Sequence, residues 1–461
     1  MATTLSNTAG AEQRPLQYDQ TPSNYTSLGD LIDVTKPDVR DMYIQTFGDQ
    51  GITGLLDITG AKKSAGTADE VHWYEEGRLH TVLSVSSTSA GTGIIASVGV
   101  EAAVANTASN AVLRKYDVLL AGTKRLMVTA TGASATFTYK QLSDGGVGAT
   151  FGATTFSVIG NAYPQGSPQP TLPFQVKHTL RKNPFSIVKE TFHVSGSQAT
   201  NIGWVNVGGR NLWYLKGEID ARRKFMNMRE AMLVFGQLPF SASYGTEGDH
   251  TAVADVPGSE GYFGAVENRG IVADSDINFK SATDLALFDD ILVALDGEGA
   301  PQEYAMYVNR EVSLAMENIL AKGGLGGSTS IGLAAAYGAF NNDKDMAVSL
   351  GFQSFNRGGY TFHKHNWKLL NDPTTGAKSS YEGALIPLTT VVDPKTGQRN
   401  PSLEMNYKAA GNYSREMEHW VEGGGVLGYA TNGDDLAKFH YRSECNLCVR
   451  AANQHVALKI T

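Results

Sequence analysis

The chain has 461 residues, 51 of them Gly and 15 Pro; 41% are hydrophobic, only 18% are charged, and the formal net charge is −8. That apolar fraction can fill at least two sizeable cores, the length gives a prior of about three domains, and the low charge excludes disorder driven by self-repulsion. With 38 basic against 46 acidic residues nothing in the balance grips a nucleic-acid backbone, and two Cys cannot build a disulfide framework. No run approaches the ~18 apolar residues of a membrane span, and the start Met1-Ala-Thr-Thr-Leu-Ser has neither a basic nor an apolar targeting region, so a soluble protein made in a reducing cytosol is expected.

The first 24 residues are rich in Ser, Thr, Ala, Asn and Gln and show no period of 2 or 3.6, which predicts an extended arm without a core of its own. A helical pattern runs from Asp38 to Ile58, with Met42, Ile44, Phe47, Leu55 and Leu56 as candidate buried positions and Gly48, Gly51 and Gly54 interrupting it. Between Thr81 and Gly160 only 8 of 80 residues are charged, and short β-branched or alternating runs begin at Thr81, Tyr116, Arg125, Ala135 and Thr155. Such runs between Gly-containing turns predict a small antiparallel β module. A Pro-bearing segment from Pro164 to Pro170 closes it, and strands are expected at 174–178 and 185–194.

The longest helical pattern spans Asn211 to Phe235, where Leu212, Leu215, Ile219, Phe225, Met228, Met232 and Phe235 recur at helical spacing and Gly236 supplies the stop. Its 25 residues make a rod of roughly 37 Å. Glu218 with Arg222 and Asp220 with Lys224 stand at i, i+4 in the favourable order. A loop-rich stretch, 241–276, leads to Ser281 and Asp284, a capping-box signal. Leu285, Phe288, Leu292 and Leu295 then predict a helix ended by Asp296-Gly297. Tyr304–Val308 reads as a strand, and Asn309 caps a helix carrying Val312, Met316, Ile319 and Leu320 up to Lys322-Gly323. Helix, strand and helix together predict an α/β layer, and the rest of the chain reads as strands and long loops.

Chemical motifs are sparse. Cys445-Asn-Leu-Cys448 lacks the second ligand pair of a zinc site, and the shared parity of Phe439, Tyr441, Cys445, Leu447 and Val449 predicts a strand with the two thiols on opposite faces. His363 and His365, two apart in a strand, share one face at about 7 Å. They could ligate one metal with a carboxylate, the basis for an alternative reading as a metal-assisted hydrolase. The glycine tract at 146–152 has the wrong spacing for a dinucleotide loop, and the tract at 323–330 lacks the Lys-Ser/Thr of a phosphate loop. Arg222-Arg223-Lys224 is the densest basic spot, but Glu218, Asp220 and Glu230 flank it and favour an ion-paired helix face. No catalytic, cofactor or metal site is assigned.

The element order resembles the major capsid proteins of tailed bacteriophages with the HK97-type fold. Val71-His-Trp-Tyr-Glu-Glu-Gly-Arg-Leu-His80 resembles the strand entering that family's extended loop. Asn211–Phe235 resembles its spine helix, Ser281–Lys322 its axial domain, and the segment from Tyr441 to Asn453 its closing peripheral strand. The resemblance implies an α+β fold divided into an N-terminal arm (1–40), a helix and the start of the extended loop (41–80), and an inserted β module (81–165). The end of the loop (166–210), the spine helix and peripheral domain (211–280), the axial domain (281–425) and the closing peripheral strands (426–461) follow. It implies a shell-forming virion protein without enzyme activity or cofactor, assembled in the host cytoplasm as hexamers and pentamers. Portal, scaffolding and decoration proteins are the implied partners, and double-stranded DNA is enclosed without sequence-specific binding. The candidate assembly residues are Trp73, Tyr74, Glu75, Glu76, Arg78, Arg222, Arg223 and Lys224. An arm of about 37 residues, extended, spans about 120 Å, which suits contacts with neighbours. A glycan or host-surface role for the β module is the second alternative.

Overall fold

The computed structural model describes residues 62–78, 80, 82–98, 113–132, 136–143, 151, 154–170, 178–199, 213–238, 258–273, 282–322, 354–374, 380–388, 390–392, 397, 399–425 and 430–460. The arm, the helix expected over 38–58, most of the glycine tract at 146–152, the tract at 323–330, and Asn211, Leu212 and Ser281 lie outside these. The described residues belong to two compact units, one from Lys189–Asn227 and Glu418–Arg442, the other from Ile52–Val188, Met228–Met417 and Ser443–Thr461.

In the second unit, β1 (Lys62–Ser64) is followed by β2 (Glu70–Glu76), which returns only at β9 (His178–Pro184) to form a two-stranded antiparallel ribbon in the register Glu70↔Pro184 to Glu76↔His178. Between them lie β3 (Val82–Ser89), β4 (Thr92–Val98), β5 (Asp117–Ala121), β6 (Lys124–Thr131), β7 (Thr136–Gln141) and β8 (Thr154–Asn161), closed into a barrel in the order β3-β4-β7-β6-β5-β8. Five of the six match the runs expected from sequence. Strand β4 was not expected, because adjacent Ile94 and Ile95 break the alternation. It forms because Gly93 leaves room for a ring: a Cβ there would stand 2.6 Å from Cζ of Phe137. The barrel is filled by its own side chains, among them Leu83, Val85, Leu119, Leu126, Val128, Phe137, Tyr139 and Phe156. Tyr116 enters it with φ of +77°, a conformation costly for an aromatic residue, and its ring packs on Tyr163 at 5.2 Å.

The α/β layer expected from sequence is a six-stranded sheet. Its order is β11 (Ile271–Ala273), β23 (Val456–Lys459), β15 (Tyr381–Pro387), β12 (Glu303–Val308), β14 (Tyr360–Asn366) and β13 (Ser354–Arg357). Strand alternation divides its side chains between two cores. Tyr304, Met306, Val308, Leu385, Val456 and Leu458 face Phe288, Ile291, Leu292 and Leu295 of α4 (Ala282–Gly297) and Val312 and Met316 of α5 (Arg310–Lys322). Ala305, Ala384, Ile386 and Ala457 face Tyr262, Phe263 and Val266 of α3 (Tyr262–Arg269). Helix α4 stops at Gly297, and Asn309 caps α5 through Oδ1, which accepts the Val312 N–H at 2.7 Å. Asn309→Ala is therefore expected to lower stability by about 1 kcal/mol in urea unfolding, with the secondary structure unchanged by circular dichroism. Small sheets complete this unit: β16 (Thr390–Val392) with β17 (Arg399–Pro401), and β19 (Ala409–Ala410) with β20 (Tyr413–Ser414). In addition, β18 (Leu403–Tyr407) pairs in parallel with β1 and antiparallel with Cys445–Val449 of β22 (Leu436–Val449).

Strand β10 (Ser186–Ser195), β22 and the long helix α2 (Trp213–Phe235) each have residues in both units. In the first unit a four-residue α1 (Gly196–Ala199) follows β10, and β21 (Glu418–Gly423) pairs with Ala437–Arg442 of β22. Phe225 of α2 packs on Tyr441 at 5.7 Å, and Gly217 lets α2 close on Phe192, whose Cζ would stand 2.7 Å from an added Cβ. The apolar stripe expected on α2 is only partly buried. Phe225 is enclosed, but Ile219 and Met232 are exposed, while Arg229, Glu230, Leu233 and Val234 are buried. Two of these buried positions are polar, and an apolar count cannot register them. The expected i, i+4 pairs also give way: Asp220 takes Lys216 at 3.1 Å, Lys224 takes Glu190 at 3.1 Å, and Glu218 accepts the Tyr441 hydroxyl at 3.4 Å.

Candidate functional site

The β2 residues singled out from sequence alternate along the ribbon. Trp73 is buried, and its indole Nε1 donates to Oε1 of Glu75 at 3.1 Å; Arg181, directly opposite Trp73 on β9, donates Nε to the other oxygen of Glu75 at 3.1 Å. Tyr74, between them, points outward and is 71% exposed. Glu76 is exposed at the end of the strand. Arg78 donates to the last carbonyl of α4, Gly297 O, at 2.9 Å and to Oε1 of Glu298 at 2.8 Å. A guanidinium there complements the negative end of the helix. Trp73, Glu75 and Arg78 thus hold the ribbon within its own chain, whereas Tyr74 is presented to the outside.

The ribbon has two unlike feet. At the β2 foot, exposed Asp69 pairs with Lys408, which lies 3.7 Å from Glu444, and Glu444 takes Arg415 at 2.5 Å. The hydrogen bond from Lys408 holds the Asp69 carboxyl below its usual range. At the β9 foot, Asn183 is fully buried and its amide is saturated. Nδ2 donates to Glu260 O at 2.9 Å and Leu447 O at 2.7 Å, while Oδ1 accepts Glu260 N–H at 2.9 Å and the Ser259 hydroxyl at 3.2 Å. The Asn183 carbonyl also accepts Nδ2 of Asn446 at 2.7 Å, and Glu260 is gripped by both terminal nitrogens of Arg269 at 2.9 and 3.0 Å. Sequence reading missed this clasp. Its only local trace is the Asn183-Pro184 pair, a turn signal that says nothing of burial.

On α2, Arg222 is exposed, Arg223 is half-buried and Lys224 is tied to Glu190, so the basic triplet does not converge on one point. His363 meets Glu303 at 3.1 Å, and His365 stacks on the Tyr307 ring at 5.0 Å; burial, with His363 beside it, holds the His365 imidazole below its usual range. Among the described residues no group of three or more His, Cys, Asp and Glu is placed to hold a metal ion, and no helix is long and apolar enough to cross a membrane.

Cys445 and Cys448 are free and fully buried, and Cys448 Sγ accepts Asn406 Nδ2 at 3.1 Å. Burial pushes both thiols up, Cys448 to about 12, so neither forms thiolate at neutral pH. Folded protein is expected to resist a thiol reagent at pH 7 and to react at both cysteines once unfolded in urea; rapid labelling of the folded chain would contradict the burial.

No family model matches the chain, and no curated protein matches it. Among solved structures it is similar to the capsid structure of cyanophage P-SCSP1u, at 8% identity and a TM-score of 0.41 over 93% of this chain and 95% of that one. It is similar to a structure from Gordonia phage Cozz at 7% identity and a TM-score of 0.42, over 96% of this chain and 98% of that one. It is also similar to the mature capsid asymmetric unit of bacteriophage PhiM1 at 10% identity and a TM-score of 0.37, over 93% and 91%.

Proposed function

We propose that this chain is a structural subunit that self-assembles, as hexamers and pentamers, into an icosahedral virion shell of HK97 type around packaged double-stranded DNA. The carrying observation is the β2–β9 ribbon. Among the described residues it is a sheet of two strands, it presents Tyr74 outward, and it leads into a barrel with a core of its own. A two-stranded ribbon is marginal alone in water, and edges unpaired among the described residues, with an exposed aromatic ring, are the kind of surface a neighbouring copy covers. On this reading β2–β9 is the extended loop, α2 the spine helix, the six-stranded sheet with α4 and α5 the axial domain, and β21–β22 part of the peripheral domain. Tyr74 and Glu76 are the outward contact residues, Trp73, Glu75 and Arg78 set the ribbon's path, and Arg222, Arg223 and Lys224 are further contacts on the spine.

The expected result in sedimentation and negative-stain microscopy is closed particles, formed alone or with a scaffolding protein; a chain that only ever sediments as a 49.3 kDa monomer would overturn the reading. Deleting residues 1–37 is expected to leave a folded chain that no longer makes normal particles. His363→Ala with His365→Ala is expected to assemble as the parent does, which the hydrolase alternative does not require.

A further inference from the structure

The 82–161 stretch is charged opposite to the rest of the chain. It holds Arg114, Lys115, Lys124, Arg125 and Lys140 against Glu101, Asp117 and Asp144, within a chain of net charge −8. Asp117 is buried and accepts the Arg114 N–H at 2.6 Å, so every exposed charge on the described part of the barrel is a cation. Two of them belong to one compact patch. Leu126 and Val128 of β6 and Tyr139 and Gln141 of β7 point into the barrel, so Arg125, Met127, Lys140 and Leu142 point out. Met127 stands directly opposite Lys140, and the Leu142 N–H donates to Arg125 O at 3.0 Å. The result is a two-by-two block with cations on one diagonal and apolar side chains on the other. Leu142 is 52% exposed, and among the described residues neither Arg125 nor Lys140 has an ion-pair partner.

Helix α4 carries the complementary pattern. Its inner positions Phe288, Ile291, Leu292 and Leu295 are committed to the core, which leaves Ala286, Asp290, Val293 and Asp296 along its outer face. Val293 is 71% exposed, and neither Asp290 nor Asp296 has an ion-pair partner among the described residues, unlike Asp289, which takes Arg357 at 2.5 Å. Six residues of helix separate the two carboxylates by about 9 Å along the axis. The diagonal across a strand pair is about 7–8 Å, and the long side chains of Arg and Lys span the difference.

Within one copy neither face satisfies the other. We infer that the outward block of the barrel, Arg125, Met127, Lys140 and Leu142, docks on the α4 face Ala286, Asp290, Val293 and Asp296 of a second copy of this chain. The inference rests on the shell-forming reading and adds to it a salt-sensitive contact made by the barrel. A nucleic acid is the poorer occupant: the patch has few cations, and half of it is apolar, whereas phosphate contacts need a denser basic surface. Opposite charges with apolar residues between them give a contact steered by charge and sealed by burial.

The test is a charge swap in the full-length chain. Arg125→Glu with Lys140→Glu should lower self-association at 0.1 M salt by about tenfold or more in sedimentation velocity, and Asp290→Lys with Asp296→Lys should do the same. Combining all four should recover association to within a few-fold, a result that general destabilisation cannot produce. The parent's association should weaken as salt is raised to 1 M. All positions are exposed, so circular dichroism and thermal midpoints should match the parent; if a double variant misfolds, Arg125→Gln and Lys140→Gln replace it. A parent that assembles while the reversals change nothing, or a quadruple variant no better than the doubles, overturns this contact and leaves the shell reading standing. A parent that never associates overturns both. Reversals that abolish only co-purifying nucleic acid would assign the patch to nucleic acid instead.

Discussion

Replacing Asn183 with Ala is expected to lower the unfolding free energy by about 3–5 kcal/mol. The reason lies in what remains behind. With the amide gone, the Glu260 N–H, the Glu260 and Leu447 carbonyls and the Ser259 hydroxyl lose the partner they share in a site closed to water. Each buried group left without a partner costs about 1–3 kcal/mol, less whatever an entering water returns. Asn183→Asp should be no better, because a carboxylate would face two carbonyls to which the amide donates. The other foot supplies the contrast. Asp69 is 89% exposed at its side chain, so Asp69→Ala should leave the urea midpoint unmoved within error despite losing its ion pair to Lys408. Hydrogen exchange adds a local readout: Asn183→Ala should speed exchange across β2 and β9 while the six-stranded sheet stays protected. Equal midpoints for Asn183→Ala and the parent would show that the clasp does not hold the ribbon.

The contrast between the feet also explains what could be read in advance. Strands β5, β6 and β7 alternate cleanly, and helices α4 and α5 carry both an apolar period and recognisable ends, so local pattern was enough to place them. Closure of the barrel was not legible, since alternation specifies which side chains face inward but not which strands become neighbours. The clasp was illegible for a related reason. Asn183 and Leu447 are 264 positions apart, and a polar residue looks like a surface residue until the fold surrounds it with partners. The same limit misled the reading of α2, where Arg229 and Glu230 take buried places while Ile219 and Met232 face outward. Of the candidate assembly residues, the ribbon segment was found as a segment. The division of labour within it, Tyr74 outward with Trp73, Glu75 and Arg78 turned to their own chain, depended on the partners contributed by β9 and α4.

A second large effect is expected at His455, whose neighbourhood makes the second unit sensitive to acid. The residue follows the short turn Ala452–Gln454 and leads into β23, fully buried, with its ring against the edge of Tyr262 at 5.6 Å and no hydrogen bond to either ring nitrogen among the described residues. Burial drives the imidazole down to about 3. In the unfolded chain it titrates near its usual value of about 6.5. Below that pH the unfolded state binds a proton that the folded state refuses. The contribution is therefore fully present above pH 6.5 and is lost progressively as pH falls toward 3, reaching about 3 kcal/mol by pH 4. His455→Phe, of similar shape and unable to titrate, should lack this part of the acid dependence, so its stability relative to the parent should improve by that amount between pH 7 and pH 4. His455→Gln gives a second uncharged comparison if the phenyl ring packs poorly. Carboxylates protonate in parent and variant alike and cancel in the difference, so unfolding curves that stay parallel from pH 7 to pH 4 would show that His455 is not the group that titrates.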